Sequence, residues 1–214
     1  MTTRAPSSNA CKSRLAPLLS LQQRQTLQKA MILDELSAAS KLDVPILIFA
    51  TPSTSLQEME ELVSREYPDA IEYRIFPQKG NGLGAIMKHA FQRAFSLGYS
   101  PCILIGSDIP SFTDKDFEGA FDELKHSNVV MSPTLDGGYC LIGMNELYPE
   151  AFAKIEYGTK SVLKQTVQTM EGLGIKISLL SKKQDIDTPD DLFEFYSQNK
   201  TGYSWTVKAS SEML

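Results

Sequence analysis

Basic residues are sparse and never clustered. No basic run exceeds Lys182-Lys183, and 21 Lys and Arg stand against 26 Asp and Glu, a net charge of −5 over 214 residues. A protein that grips a long nucleic acid carries a basic face, so nucleic acid is excluded as the main partner. Long apolar runs are missing too. Pro45–Ala50 and Cys102–Gly106 are short, far from the ~20 apolar residues of a membrane span, so no span is expected. Met1-Thr2-Thr3-Arg4 has no apolar core of a secretory signal. Cys11, Cys102 and Cys140 are odd in number and widely spaced, which argues against a disulfide framework and a Cys-pair zinc site. A reducing, cytoplasmic compartment is the simplest inference. His89 and His126 are the only histidines, and neither has a Ser or Cys nucleophile context, so a catalytic triad is not expected.

What is present is ordinary globular material, 42% hydrophobic and 22% charged. The length predicts one domain or at most two small ones; the reading is one domain over 1–197, with 198–214 a tail of uncertain order. Short apolar runs alternate with amphipathic segments. Helices are expected at Leu21–Ala39, from Ser55 to about Glu66, from Leu83, after Thr113, over Lys160–Met170, and from Thr188 to about Ser197. The pair Ser55 and Glu58 has capping-box spacing. Strands are expected at Pro45–Ala50, Ile71–Phe76, Cys102–Gly106, Val129–Ser132, Tyr139–Met144 and Ile175–Leu180. The stripe Leu83, Ile86, Met87, Ala90, Phe91, Ala94 has the spacing of one core-facing helix side. Thr188-Pro189-Asp190-Asp191 reads as N-cap, Pro at the first position, and acids on the positive helix end. Asp34 interrupts an apolar helix face and is expected to be exposed. This alternation predicts a three-layer α/β domain with a mostly parallel sheet. In such sheets ligands sit beyond the carboxyl ends of the strands.

Five segments there carry candidate chemistry. Asp108, in Gly106-Ser107-Asp108-Ile109-Pro110, follows the most apolar strand; it suits either a Mg²⁺ ligand shared with phosphate oxygens or a turn Asp bonding its own backbone. Asp185 and Asp187 flank Ile186, and in an extended segment their side chains point the same way; they complete a metal site or form a solvated acidic loop. Asp136-Gly137-Gly138 permits close backbone approach to a ligand, or is a plain tight turn. Lys12 and Arg14 are placed to bind phosphate, or are surface cations. Gly80-Asn81-Gly82-Leu83-Gly84 opens a helix, where backbone N–H groups attract anions, but it matches neither phosphate-loop signature. Tyr157-Gly158-Thr159 reads as a gating loop or a helix entry.

In this order the segments resemble the bacterial nucleotide-diphospho-sugar transferase-like proteins of the glycosyltransferase-A superfamily, single-domain relatives of the molybdenum-cofactor and phospholactate nucleotidyltransferases. The resemblance rests on Ile103–Pro110, Ser132–Met144, Tyr157–Thr159, Asp185–Leu192 and Cys11–Pro17 (CKSRLAP), and covers the chain to about Tyr196. It implies a Rossmann-like sheet that binds an activated nucleotide with Mg²⁺ or Mn²⁺ on the phosphates. It places Asp108 at the metal, and Asp185 and Asp187 at the second metal or substrate contacts. Lys12 and Arg14 fall beside the phosphates, and Asp136, Gly137 and Gly138 at the acceptor-side turn. Gly80, Gly82 and Gly84 are the remaining candidate substrate contacts. Such relatives begin with a hydrophobic strand, and here only Met1–Thr3 precede Arg4: either the chain is truncated, or its start is reassigned, or the sheet is built without that strand. The implied activity is a metal-dependent transferase taking a nucleotide-sugar donor and a small acceptor, with Asp108 and Asp136 as catalytic candidates. Nucleotidyl transfer with release of pyrophosphate is the alternative, and a non-catalytic nucleotide-binding module a third reading.

Overall fold

The computed structural model describes residues 1–67, 72–200 and 204–214. It contains β1 (Thr2–Arg4), α1 (Leu21–Ala39), β2 (Ile46–Thr51), α2 (Leu56–Glu66), β3 (Tyr73–Pro77), α3 (Leu83–Ser96), β4 (Cys102–Ile105), α4 (Asp114–Glu123), β5 (Val129–Pro133), β6 (Tyr139–Met144), α5 (Val162–Gly172), β7 (Ile177–Leu179), α6 (Pro189–Asn199) and α7 (Trp205–Met213). The α/β alternation expected from the apolar runs is therefore present. Ile71, at the start of one expected strand, lies outside the described residues.

The backbone divides into two compact units: Thr3–Pro77 with Ser107–Asp114 and Gln184–Leu214, and Met1–Thr2 with Gln78–Gly106 and Lys115–Lys183. The first holds a three-stranded sheet in the order β1-β2-β3, with β2 and β3 parallel and Ile48 opposite Ile75. The second holds a four-stranded sheet in the order β4-β6-β5-β7. There β4, β5 and β7 share one direction and β6 runs against them, with Leu104 and Met131 both opposite Ile142. The strands therefore pair in two ladders, and in the second one strand is reversed, which the apolar pattern could not reveal.

Several elements differ from expectation. A first strand exists: β1 is three residues long and pairs with β2. Its pattern is too short and too polar for an apolar-run criterion. Residues expected as a tail form α7, with Thr206, Val207, Ala209 and Ser210 buried. Ser55 makes no side-chain cap at α2, and Glu58, the other half of the expected capping box, accepts instead from the N–H of Ser7 at 2.8 Å and from its hydroxyl. On α3, Met87, Ala90, Phe91 and Ala94 are buried as expected, but Leu83 is 51% exposed. The capping box before α6 is real: Asp191 N–H donates to Thr188 Oγ1 at 3.3 Å, and Asp191 Oδ2 accepts from Thr188 N–H at 2.7 Å. Among the described residues no helix is long and apolar enough to cross a membrane.

A core cluster in the first unit joins distant segments: Leu15, Leu19, Leu27, Met31, Ile186, Leu192, Phe195 and Val207. Leu15 and Ile186 are fully buried in it. Their polar neighbours Lys12, Arg14 and Asp187 are thereby fixed at its edge, which sets the geometry of the site.

Candidate active site

The loop after β1 is pinned from α1. Arg24 Nη1 donates to Cys11 O at 2.9 Å and Gln25 Nε2 to Ser7 O at 2.9 Å, both from α1. Burial pushes the Cys11 thiol up, against the opposing charges of Arg24, Arg4 and Lys12, so three cations are felt at this loop. The loop ends at Lys12, which takes a left-handed conformation, φ 42° and ψ 45°, and opens a short turn over Ser13–Leu15. A non-glycine residue there is strained. In that conformation the Lys12 side chain is only 3% exposed.

The Lys12 ammonium pairs with Asp108 Oδ1 and donates to Ile186 O at 2.8 Å. Ile186 N–H donates to Asp108 O at 3.0 Å. A closed ring of bonds thus ties the start of the chain, the segment after β4 and the segment before α6. Arg14 Nη1 donates to Asp187 Oδ2 at 2.9 Å. Burial raises the Asp187 carboxyl above its ordinary value; Lys12 and Arg14 pull it down and Asp108 pushes it further up. The two carboxylates therefore sense each other as like charges.

The structure accordingly brings together Lys12 with Asp108 and Arg14 with Asp187. It does not gather the expected trio Asp108, Asp185 and Asp187 into one ligand set. Among the described residues no group of three or more His, Cys, Asp or Glu side chains is arranged to hold a metal ion. Lys12 and Arg14 instead pair with two of these acids. Two carboxylates still fit a dication that arrives with phosphate. Mg²⁺ commonly takes one or two protein carboxylates and fills its remaining positions with phosphate oxygens and water, and the side chains of Asp108 and Asp187 are 47% and 37% exposed.

The other candidates belong to the second unit. Asp136 Oδ1 accepts from Thr134 Oγ1 and from Gly138 N–H at 3.0 Å, so its carboxylate closes its own turn. Gly137, at φ +93°, lies so close to Lys160 that a Cβ would stand 2.2 Å from the Lys160 carbonyl oxygen. Its freedom serves an approach of backbone to backbone. Gly84 lies under the Tyr157 ring, where a Cβ would stand 2.6 Å from Cε2. The Gly-rich opening of α3 and the Tyr157-Gly158-Thr159 loop are thus one packed feature. At Gly80 (φ +135°) a Cβ would meet the Ala85 backbone, while Gly82 (φ +90°) faces open space.

Three buried polar side chains escape a reading of local pattern. Gln28, Asp34 and Glu35 are all buried on α1, at 3%, 8% and 1% exposure. Asp34, expected on the surface, accepts from the N–H groups of Trp205 and Thr206, each at 2.8 Å. Glu35 Oε1 accepts from Ile109 N–H at 2.9 Å. Burial holds the Glu35 carboxyl well above its ordinary value of 4.5, with the Asp108 charge adding to the rise and the Ile109 bond and Lys12 opposing it. A carboxyl raised in the folded state contributes stability that is complete below its unfolded value and is lost as pH climbs through the folded value. Glu35→Gln keeps the acceptor and cannot ionise. The variant is expected to gain on the parent protein as pH rises above the ordinary carboxyl range in chemical denaturation; parallel pH profiles would refute an ionising, buried Glu35.

Comparison with known proteins supplies the lineage. A family model described as "uncharacterized protein conserved in bacteria" (DUF2064) matches residues 32–159. The chain belongs to this family. The DUF2064 chain is also 27% identical over 200 residues to a 2-phospho-L-lactate guanylyltransferase of Archaeoglobus profundus, spanning 91% of the chain and 82% of that relative. It is 24% identical over 199 residues to the Methanocaldococcus jannaschii protein of the same name, spanning 92% and 81%. A solved structure from Desulfovibrio desulfuricans G20, bearing the name of a nucleotide-diphospho-sugar transferase, superposes with a TM-score of 0.87 at 28% identity, over 99% of this chain and 92% of that one. A 4-diphosphocytidyl-2C-methyl-D-erythritol synthase from Anaerococcus prevotii shares the fold at a TM-score of 0.58 and 12% identity, over 92% and 96% of the two chains. The DUF2064 chain therefore has the α/β fold of nucleotidyl and sugar-nucleotide transferases, and its relatives are transferases.

Proposed function

We propose that this chain is a metal-dependent nucleotidyltransferase. It would move a nucleoside monophosphate from a nucleoside triphosphate, GTP by analogy with its relatives, to a small phosphorylated acceptor. A phosphate oxygen of the acceptor attacks the α-phosphorus, the bond from that phosphorus to the bridging oxygen breaks, and pyrophosphate leaves with the electron pair. The Lys12 ammonium, held by Asp108 and Ile186, is a fixed positive charge whose orientation costs nothing at the moment of reaction. Arg14, 70% exposed at its side chain, offers a fork to phosphate oxygens. Asp108 and Asp187 would hold Mg²⁺ or Mn²⁺, which when bound neutralises charge on the leaving phosphates.

One observation orders this reading ahead of glycosyl transfer. An acceptor phosphate is already a nucleophile, whereas an acceptor hydroxyl calls for a base to take its proton. Asp136, the candidate base, spends Oδ1 on Thr134 and Gly138. Transfer of a sugar from a nucleotide-diphospho-sugar is the second reading, favoured by the name and the 0.87 TM-score of the Desulfovibrio structure. The two divide on the leaving group. With GTP, Mg²⁺ and 2-phospho-L-lactate, the expected product is pyrophosphate in step with acceptor consumption. Release of nucleoside diphosphate from a GDP- or UDP-sugar, with no pyrophosphate from any triphosphate, would establish the second reading instead.

A further inference from the structure

Asp108 carries the proposed metal site, yet its side chain is half open to solvent, and the segment bearing it makes bonds on both flanks to a single helix. Gln28 Nε2 donates to Ser107 Oγ at 3.0 Å and to Thr3 Oγ1 at 3.3 Å, and Thr3 Oγ1 donates to Ser107 Oγ at 2.8 Å. Glu35 Oε1 accepts from Ile109 N–H at 2.9 Å. Gln28 and Glu35 are seven residues apart on α1, so they share one face of it, two turns apart. The residue before Asp108 and the residue after it are therefore each gripped from that face.

Glu35 satisfies the buried Ile109 N–H, but fold stability gives no reason for an acid there in place of a neutral acceptor. Its neighbours Met31, Ile32, Leu33 and Leu36 are all buried apolar residues. Glu35 Oε2 is buried with no hydrogen-bond partner, and an unsatisfied buried polar atom is costly. Local costs of this kind cluster where geometry has to be held for function. We propose that Gln28 and Glu35 form a clasp that fixes the direction of the Asp108 carboxylate, and so act as positioning residues for the metal-nucleotide complex. The proposal rests on the nucleotidyl-transfer reading of Asp108. Groups that orient a metal ligand typically change metal affinity 10–100-fold when removed.

The test is a calorimetric titration of Mn²⁺ in the presence of GTP, with the full chain, its D108N variant, and the variants E35M, Q28L and E35Q, alongside denaturation midpoints for each. The expected result has three parts. E35M and Q28L bind Mn²⁺ about 10–100-fold more weakly, each still unfolds cooperatively, and E35Q, which keeps an acceptor for Ile109 N–H, binds like the parent. If D108N loses binding while E35M and Q28L do not, the clasp is wrong and the nucleotide site stands. If E35Q weakens binding as much as E35M, the carboxamide rescue has failed and the positioning role is refuted. If the parent chain binds no Mn²⁺ with GTP, both the nucleotide reading and the clasp built on it fall.

Discussion

Replacing Lys12 with methionine is expected to lower kcat/KM for nucleotidyl transfer by about 10²–10³-fold, the usual cost of removing one preorganised donor from a site where charge develops. The side chain is 3% exposed and bonded to both the Asp108 carboxylate and the Ile186 carbonyl. It therefore acts as a fixed charge, which water cannot replace. Methionine retains the stem and its packing but removes the ammonium. It also removes the charge that offsets the mutual repulsion of Asp108 and Asp187. A second variant separates backbone from charge. Position 12 sits at φ 42°, where an L-residue costs about 1–2 kcal/mol and glycine does not. Lys12→Gly is thus expected to be as inactive as Lys12→Met, with the relief of backbone strain offsetting part of the stem packing that glycine loses. Steady-state pyrophosphate release and urea melts on the two variants check both halves. Activity of Lys12→Met within about threefold of the parent, a loss of under 1 kcal/mol in transition-state stabilisation, would sink the assignment.

The elements legible in the sequence are those whose signals are local. Thr188-Pro189-Asp190-Asp191 announces α6 because cap, proline and acids act within one helical turn. The boundaries of α1 and β6 are the expected ones, Leu21–Ala39 and Tyr139–Met144, the start of α1 being fixed within one turn by the Ser20–Gln23 capping box. The candidate acids are visible as residue types beside strands and the cations ahead of a helix, but their pairing is not. That Lys12 meets Asp108 across 96 positions depends on Leu15 and Ile186 sharing one core cluster, a contact no local window contains. The same distance hides the fate of Glu58. Its spacing from Ser55 suits a capping box, and the competing partner, Ser7, lies 51 positions away. Gly137 has the composition of a ligand-approach glycine and in fact admits the Lys160 carbonyl. A glycine records that something comes close, and only the fold shows what. Gln28 and Glu35 left one faint signal, two polar residues seven apart on a helix otherwise rich in buried apolar residues.

Replacing Asp34 with alanine is expected to cost about 2–4 kcal/mol of global stability, because one carboxylate serves two donors at once. Its oxygens accept from the first two N–H groups of α7, each at 2.8 Å, while Ser204 Oγ accepts from Val207 N–H at 3.1 Å. Those groups are among the four that a helix start cannot satisfy internally, and Thr206 is fully buried, so water cannot take the carboxylate's place. A negative charge there also faces the positive end of the helix. Asp34→Asn keeps one acceptor but turns an amide N–H₂ toward a donor, so its loss should fall between alanine and the parent. The cost is expected to be global because Val207 of α7 packs in the same cluster as Leu27 and Met31 of α1, and as Leu15 and Ile186 beside the candidate site. Loosening α7 therefore loosens the seats of Lys12 and Asp187. Amide exchange separates the two outcomes. If Asp34→Ala speeds exchange only within Trp205–Met213 and leaves the unfolding midpoint unchanged, α7 is an independent appendage. If exchange rises together in α7 and around Leu15 and Ile186, the C-terminal helix is part of what holds the candidate site in shape.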